Sequence, residues 1–477
     1  MIHPNVDLKR IFAFVFWGIF FAFSGTPVIR ARQHAERPNV LFIAVDDLNN
    51  HERTYGQTYV KTPNIDRLAL GGVQFNKAYN QYPLCSPSRS SLLTGHTPDV
   101  TKIYELKTHF REILPEVVTL PQLFKNNGYF TARVGKIYHY GVPSQIGTNG
   151  LDDSVSWNVR VNPKGRDKAD ESAVINLTPD RPLGSALSYL KADGTDEEQT
   201  DGLIASEAIK LLTQSKNKQE PFFLAVGFFR PHTPYVAPKR YFDLYPTETI
   251  PLPAQLPNDL GDIPKDALFT KPAHWGLREE KQREALRAYY ASISFMDAQL
   301  GRVLDALDKL QLSNNTIVVF WSDHGYNVGH HGQWMKQSLF ETSARVPLIF
   351  RVPKFKGGQQ SDRTVELLDI YPTLAELAGL AAPKDLDGKS LVPLLRDPGA
   401  SWAKAAYTQV KRPNGVVGRS VRTERWRYTE WDHGKAGTEL YDHEKDPDEF
   451  YNLTDNSSYR AIKQELIETL KKRFPTH

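Results

Sequence analysis

Apolar residues gather in short unbroken runs along this chain, and several runs stop at a charged or hydrogen-bonding residue. Val40-Leu41-Phe42-Ile43-Ala44-Val45 ends at Asp46-Asp47. Phe222-Phe223-Leu224-Ala225-Val226-Gly227 leads to Arg230-Pro231-His232, and Thr316-Ile317-Val318-Val319-Phe320-Trp321 leads to Ser322-Asp323-His324-Gly325. Runs of this length, rich in β-branched and aromatic side chains, predict strands buried on both faces. Residues 129–134 predict another strand, ending in Gly135-Lys136, and residues 346–350 a further one. Between them the period becomes helical, over 64–69, 119–124 and 203–212. A long helix is predicted over 281–310, where Leu286, Ile293, Leu300, Leu304 and Leu307 recur at helical spacing. Strands alternating with helices predict an α/β fold with a large, mostly parallel sheet flanked by helices. Ligands of such sheets bind beyond the carboxyl ends of the strands. Asp46, Lys136, His232 and Asp323 all follow strand ends.

The pattern changes after about Pro383. Residues 416–422 and 426–431 alternate in the antiparallel manner, 439–442 pairs next, and 459–474 predicts a closing helix. Residues 38–383 are therefore read as the main domain and 384–477 as a smaller antiparallel-sheet subdomain. Residues 141–200, rich in Asp, Gly, Pro and Ser, read as a long irregular excursion near the substrate.

The 477 residues are 40% hydrophobic and 24% charged, an ordinary globular composition. A net charge of +4 suits an anionic substrate, and no basic block points to nucleic acid. Lys9 and Arg10 precede an apolar run over 11–23, and the small residues Ala22, Ser24 and Gly25 follow. That order predicts a secretory signal over residues 1–30. The run falls short of the ~20 apolar residues of a membrane span. An uncleaved signal anchor is the other reading. In both, the rest of the chain is exported, periplasmic or extracellular, and after cleavage no stable membrane span remains.

Cys85 is the only cysteine. Exported proteins normally use cysteines in pairs, so this one is either an inert packed residue or a functional one. Arg89 places a permanent forked cation four residues away. Ser90-Ser91-Leu92-Leu93 reads as a helix start, closed by Thr94-Gly95, with donors ready for an anion. Asp46-Asp47 and Asp323-His324, at two separate strand ends, offer carboxylates suited to a hard divalent cation such as Ca²⁺. The alternative is that Asp46 caps the next helix and Asp47 is solvated. Lys136 and His139 stand three apart and can face one pocket; His232 and Lys336 complete the candidates for holding an anion and moving protons. Each also has a bland reading as a solvated or satisfied side chain. His330 and His331 are pocket rim or structural.

Cys85-Ser86-Pro87-Ser88-Arg89, with Leu93-Thr94-Gly95, resembles the signature of the type I sulfatases. The resemblance covers about residues 38–455 and is nearest to the iduronate-2-sulfatases, carried by Val45-Asp46-Asp47-Leu48, Val134-Gly135-Lys136-Ile137-Tyr138-His139, the 221–228 segment and Ser322-Asp323-His324-Gly325. It implies an alkaline-phosphatase-like sulfatase fold, a formylglycine made from Cys85 by a maturation enzyme, and one Ca²⁺ on Asp46, Asp47, position 85, Asp323 and His324. His324 either binds the ion or donates to the sulfate. The catalytic set implied is Cys85, Arg89, Lys136, His139, His232 and Lys336. The substrate implied is a sulfated glycan, a 2-O-sulfated iduronate-type sugar or a related polysaccharide unit. His330 stands where iduronate-2-sulfatases lead one to expect an acidic residue, and Ser343–Leu348 is similar to choline sulfatases. A phosphodiesterase or phosphonate hydrolase, a choline-sulfatase-like activity and a non-catalytic glycan binder are the competing readings.

Overall fold

Strand Asn39–Val45 lies at the centre of a nine-stranded sheet, paired in parallel with Phe222–Phe228 on one side and Thr316–Ser322 on the other. The computed structural model describes residues 37–475; the signal predicted over residues 1–30 lies outside them. From one edge the order is Arg345–Val346, Val73–Tyr79, Leu348–Arg351, Thr316–Ser322, Asn39–Val45, Phe222–Phe228, Phe130–Gly135 and Val159–Val161, with Gln359–Glu366 pairing alongside Val73–Tyr79. The pairings are parallel except those of Arg345–Val346 and Leu348–Arg351. The fold is the alkaline-phosphatase-like α/β fold.

The unbroken apolar runs have a simple cause. Side chains alternate across a strand. Leu41, Ile43 and Val45 enter a core with Leu286, Ile293, Leu300 and Leu304 of helix Glu279–Lys309. Val40, Phe42 and Ala44 enter a second core with Leu92, Leu93, Phe124 and Leu374 from helices on the opposite face. Both faces are buried, so no polar residue interrupts the strand.

A second, four-stranded antiparallel sheet runs Ala406–Lys411, Val417–Arg422, Trp426–Trp431 and Thr438–Asp442. Helix Arg460–Arg473 covers it through Leu466 and Leu470, packed on Val421, Tyr428 and Leu440. Fully buried Arg427 ties this sheet to the main body, donating to Glu449 at 2.6 Å and to Glu341.

Four expectations change. The strand predicted over 346–350 breaks at Pro347, which has no N–H for the ladder. The helix expected to start near Ser90 spans Cys85–Thr94. Pro87 is its third residue, where N–H groups have no intrahelical partner, so the proline costs nothing there. The excursion is partly ordered: Val159–Val161 joins the main sheet, while Ile175–Asn176, Ser188–Ala192 and Tyr235–Pro238 form a small sheet of their own. Strands Val73–Tyr79, Gln359–Glu366 and Ala406–Lys411 and helix Ile370–Leu377 were not expected.

Candidate active site

Register fixes where the polar residues emerge. Val45 is level with Ser322 and with Phe228, and Gly135 with Gly227. Asp46-Asp47, Asp323-His324, Lys136 and the turn to His232 therefore leave the sheet at one end. Gly135 and Gly227 allow this: a Cβ on Gly227 would come 2.0 Å from the Lys136 carbonyl oxygen, and one on Gly135 2.2 Å from the Gly227 oxygen. Lys136 N–H donates to that oxygen at 3.0 Å.

Cys85 meets this end from above as the first residue of its helix. Leu84, at the cap position, supplies no side-chain hydrogen bond to the free N–H groups of the first turn. That turn thus offers donors and the positive end of the helix dipole beside the sulfur. Lys336 Nζ stands 3.2 Å from Sγ and donates to Asp47 Oδ1 at 2.6 Å. His324 Nε2 is 3.3 Å from Sγ; its Nδ1 is 2.9 Å from the Gly325 carbonyl, which places a proton on Nδ1. His139 is buried close enough to feel the charge of the sulfur and of Asp46. Burial raises the Cys85 thiol, but Lys136, Lys336 and His324 outweigh it and hold the thiol well below its ordinary range. Burial lowers His324, but Asp323 and the Cys85 thiolate raise it to about 9.

Arg89 is the girder of the site. Nε donates to Asp323 Oδ2 at 2.8 Å, Nη2 to Asp46 Oδ1 at 3.1 Å, and Nη1 to the carbonyls of Lys136 and Ile137 at 2.8 and 2.9 Å. Lys136 Nζ takes the other oxygen of Asp46. Burial raises Asp46, yet Lys136, His232 and Arg89 together hold it well below the carboxylate range. His232 Nδ1 is 2.6 Å from the Thr233 carbonyl, so its Nε2 faces the site, 3.8 Å from Asp47 Oδ2.

Asp47 is a non-glycine residue with φ of 64°, a conformation that costs about 1 kcal/mol or more. Tertiary hydrogen bonds hold it. Tyr289 donates to its carbonyl at 2.9 Å, and its N–H donates to Asp323 Oδ1 at 3.2 Å. Its Oδ2 is buried and has no hydrogen-bond partner. Asp46, Asp47, Cys85 and His232 present ligand atoms within 4.8 Å of one another, as do Asp46, Cys85, Asp323 and His324. Three converging carboxylates, one with a spare buried oxygen, fit a hard divalent cation.

All ten predicted residues thus share one buried cluster. Asp46 caps no helix; both its oxygens are held by cations. His331 is structural: Nδ1 is 3.0 Å from Asp259 and Nε2 is 3.0 Å from the Asp448 carbonyl, and the ring stacks on Phe340. His330 is half-buried beside His51, its Nδ1 without a partner. Two contributors went unread. Ser88, whose hydroxyl donates to the Asp323 carbonyl, lies inside the five-residue Cys85–Arg89 motif and was legible there. Tyr289 had no signal, because it sits in the apolar stripe of a core helix.

Among the described residues, no helix is long and apolar enough to cross a membrane. Residues 38–380 match the sulfatase family, and residues 329–474 match the C-terminal region of N-sulphoglucosamine sulphohydrolase. A sulfatase of Formosa agariphila is 34% identical over 94% of this chain and 88% of its own length. Iduronate 2-sulfatase of Homo sapiens is 35% identical over 84% of this chain and 86% of its own. A solved 2-O GAG sulfatase superposes with a TM-score of 0.71 at 27% identity, covering 92% of each chain. The chain belongs to the sulfatase family and is a sulfuric ester hydrolase.

Proposed function

We propose that the enzyme is exported and removes sulfate from a glycan, most closely a 2-O-sulfated iduronate-type sugar or a related unit of a sulfated polysaccharide. Its likeness to iduronate 2-sulfatase and to a 2-O GAG sulfatase supports that substrate class. In this reading a maturation enzyme converts Cys85 to formylglycine, whose hydrate supplies one hydroxyl to attack sulfur and a second to expel sulfate. Asp46, Asp47, position 85, Asp323 and His324 would hold Ca²⁺, which would draw charge from the sulfate oxygens.

The chain's own side chains do the rest. Lys336, the first turn of the cysteine helix and His324 surround position 85 and neutralise an anion bound there. Arg89 chiefly orients the carboxylates: four of its five N–H donors go to Asp46, Asp323 and two carbonyls. His232, with Nδ1 tied to the Thr233 carbonyl, turns Nε2 to the site, where it is placed to hand a proton to the departing sugar oxygen. His139, kept below its ordinary range by burial, is neutral at pH 7 and takes the proton from position 85 when sulfate leaves.

The observation that carries the proposal is the convergence of Lys336, His324 and Asp47 on one buried cysteine. Mass spectrometry of the peptide containing position 85, from protein made in a host with a maturation enzyme, should find an aldehyde. The same preparation should hydrolyse p-nitrophenyl sulfate far faster than p-nitrophenyl phosphate, and Cys85→Ala should abolish both. An unmodified thiol in fully active enzyme, or preference for the phosphate, sinks the reading.

A further inference from the structure

Arg181 belongs to the 141–200 excursion and takes no part in the steps above. Its guanidinium carbon stands 4.3 Å from the centre of the Trp275 ring. Nε donates to the Ser185 carbonyl at 2.7 Å. Among the described residues its two Nη groups have no hydrogen-bond partner, and no carboxylate lies within ion-pair distance. A cation stacked on tryptophan is attracted to the negative face of the ring, and the stack holds the planar fork in one orientation.

The pair bridges two walls of the active site. On the first, Thr233 Oγ1 donates to the Ala186 carbonyl at 2.6 Å and lies 3.0 Å from Ser188 Oγ. Thr233 is the residue whose carbonyl orients His232. The same loop lies flat on the segment after His139: a Cβ on Gly184 would sit 2.2 Å from the Val142 carbonyl oxygen, so glycine is required there. On the second wall, Trp334 Nε1 donates to His274 Nδ1 at 3.2 Å, and the N–H groups of Phe269 and Thr270 both donate to Gln333 at 2.8 Å. Lys336 follows two residues after Trp334. Arg181 is therefore mounted between the wall of the proton donor and the wall of the anion-binding lysine. Its charge is also felt at the Tyr326 hydroxyl, which bonds Tyr235 at 2.8 Å and stands in the field of Asp47.

We propose that Arg181, braced on Trp275, binds a second oxyanion of the substrate, a uronate carboxylate or a further sulfate, while the scissile sulfate lies at position 85. A planar fork with two free N–H₂ groups matches either oxyanion in bidentate fashion. The inference rests on the glycan reading above, and names which glycans: those carrying a second anion close to the sulfate being removed.

The test compares wild type, Arg181→Gln and Arg181→Lys, all with equal formylglycine content and thermal midpoints measured. Four substrates are used: p-nitrophenyl sulfate, a 2-O-sulfated uronate disaccharide, its carboxyl-reduced counterpart, and a sulfated hexose bearing a second sulfate. Arg181→Gln should lose at least about tenfold more kcat/KM on a doubly anionic sugar than on p-nitrophenyl sulfate. The loss should sit mainly in KM. Arg181→Lys, which keeps the charge but not the fork, should fall between. A penalty that vanishes on carboxyl reduction identifies the uronate; one confined to the disulfated hexose identifies the second sulfate. An equal penalty on all four substrates, or none, overturns the assignment. If wild type cleaves p-nitrophenyl sulfate and no sugar, the glycan reading itself fails and the assignment falls with it, a result visible without any variant.

Discussion

Arg89 donates from Nε to Asp323 Oδ2 at 2.8 Å, locking the helix of the lone cysteine to the far strand of the catalytic end. Both side chains are excluded from solvent. Arg89→Met would leave Asp46 and Asp323 buried without their shared cation, and breaking such a pair costs about 3–5 kcal/mol. Arg89→Lys keeps the charge but cannot span both carboxylates and two carbonyls. It should fold, with kcat/KM down by about 100-fold or more. Urea unfolding and turnover of p-nitrophenyl sulfate check the two outcomes separately.

Gly227→Ala tests whether the strand ends must touch. Its Cβ would press 2.0 Å from the Lys136 carbonyl oxygen. Forcing these strands apart costs about 1–3 kcal/mol and shifts Lys136 against Asp46. A misplacement of about 1 Å lowers turnover by about 100-fold. A variant with wild-type kcat would show that the close approach has no catalytic consequence.

Chelation addresses the three carboxylates. EGTA treatment should abolish turnover, and Ca²⁺ should restore it more fully than Mg²⁺, whose octahedral shell is stricter. Thermal stability should rise with added Ca²⁺, by about 2.7 kcal/mol at a hundredfold excess over the dissociation constant. Asp47→Asn should weaken that Ca²⁺ dependence. Stability indifferent to both EGTA and Ca²⁺ would remove the metal from the account.

His331 predicts a pH dependence remote from the reacting atoms. Burial lowers it, but its bond to Asp259 and the charges of Asp259 and Glu449 raise it above its ordinary 6.5; Glu439 also lies in its field. A histidine raised on folding stabilises fully below pH 6.5, and that contribution is lost as pH rises through the folded value. His331→Gln should therefore cost about 1–3 kcal/mol near pH 6, the worth of a hydrogen bond to a charged group. The gap from wild type should narrow toward pH 9. A gap independent of pH would mean the ring acts by packing on Phe340 alone.

This end of the sheet was legible because buried parallel strands announce themselves as apolar runs, and the polar residues that follow them gather beyond the strand ends. Asp46, Lys136, His232 and Asp323 followed from that rule. Val73–Tyr79 was missed although Val73, Phe75 and Tyr79 mark a half-buried alternation, because Asn76-Lys77 interrupts it. Gln359–Glu366 carries almost no apolar signal; it forms because Val73–Tyr79 offers it a parallel partner. Tyr289 and Arg181 were invisible for another reason. Their roles depend on neighbours 242 residues away in one case and on a cross-loop tryptophan in the other. No local window contains either relation.

Cys85 retains 1% of its surface, and the groups that close over it come from far along the chain: His324 is 239 residues downstream and Lys336 is 251. The chain must be made past residue 336 of its 477 before the sulfur can be shut away. Any enzyme that alters this cysteine works against that clock. It would need the chain before these distant residues close over position 85.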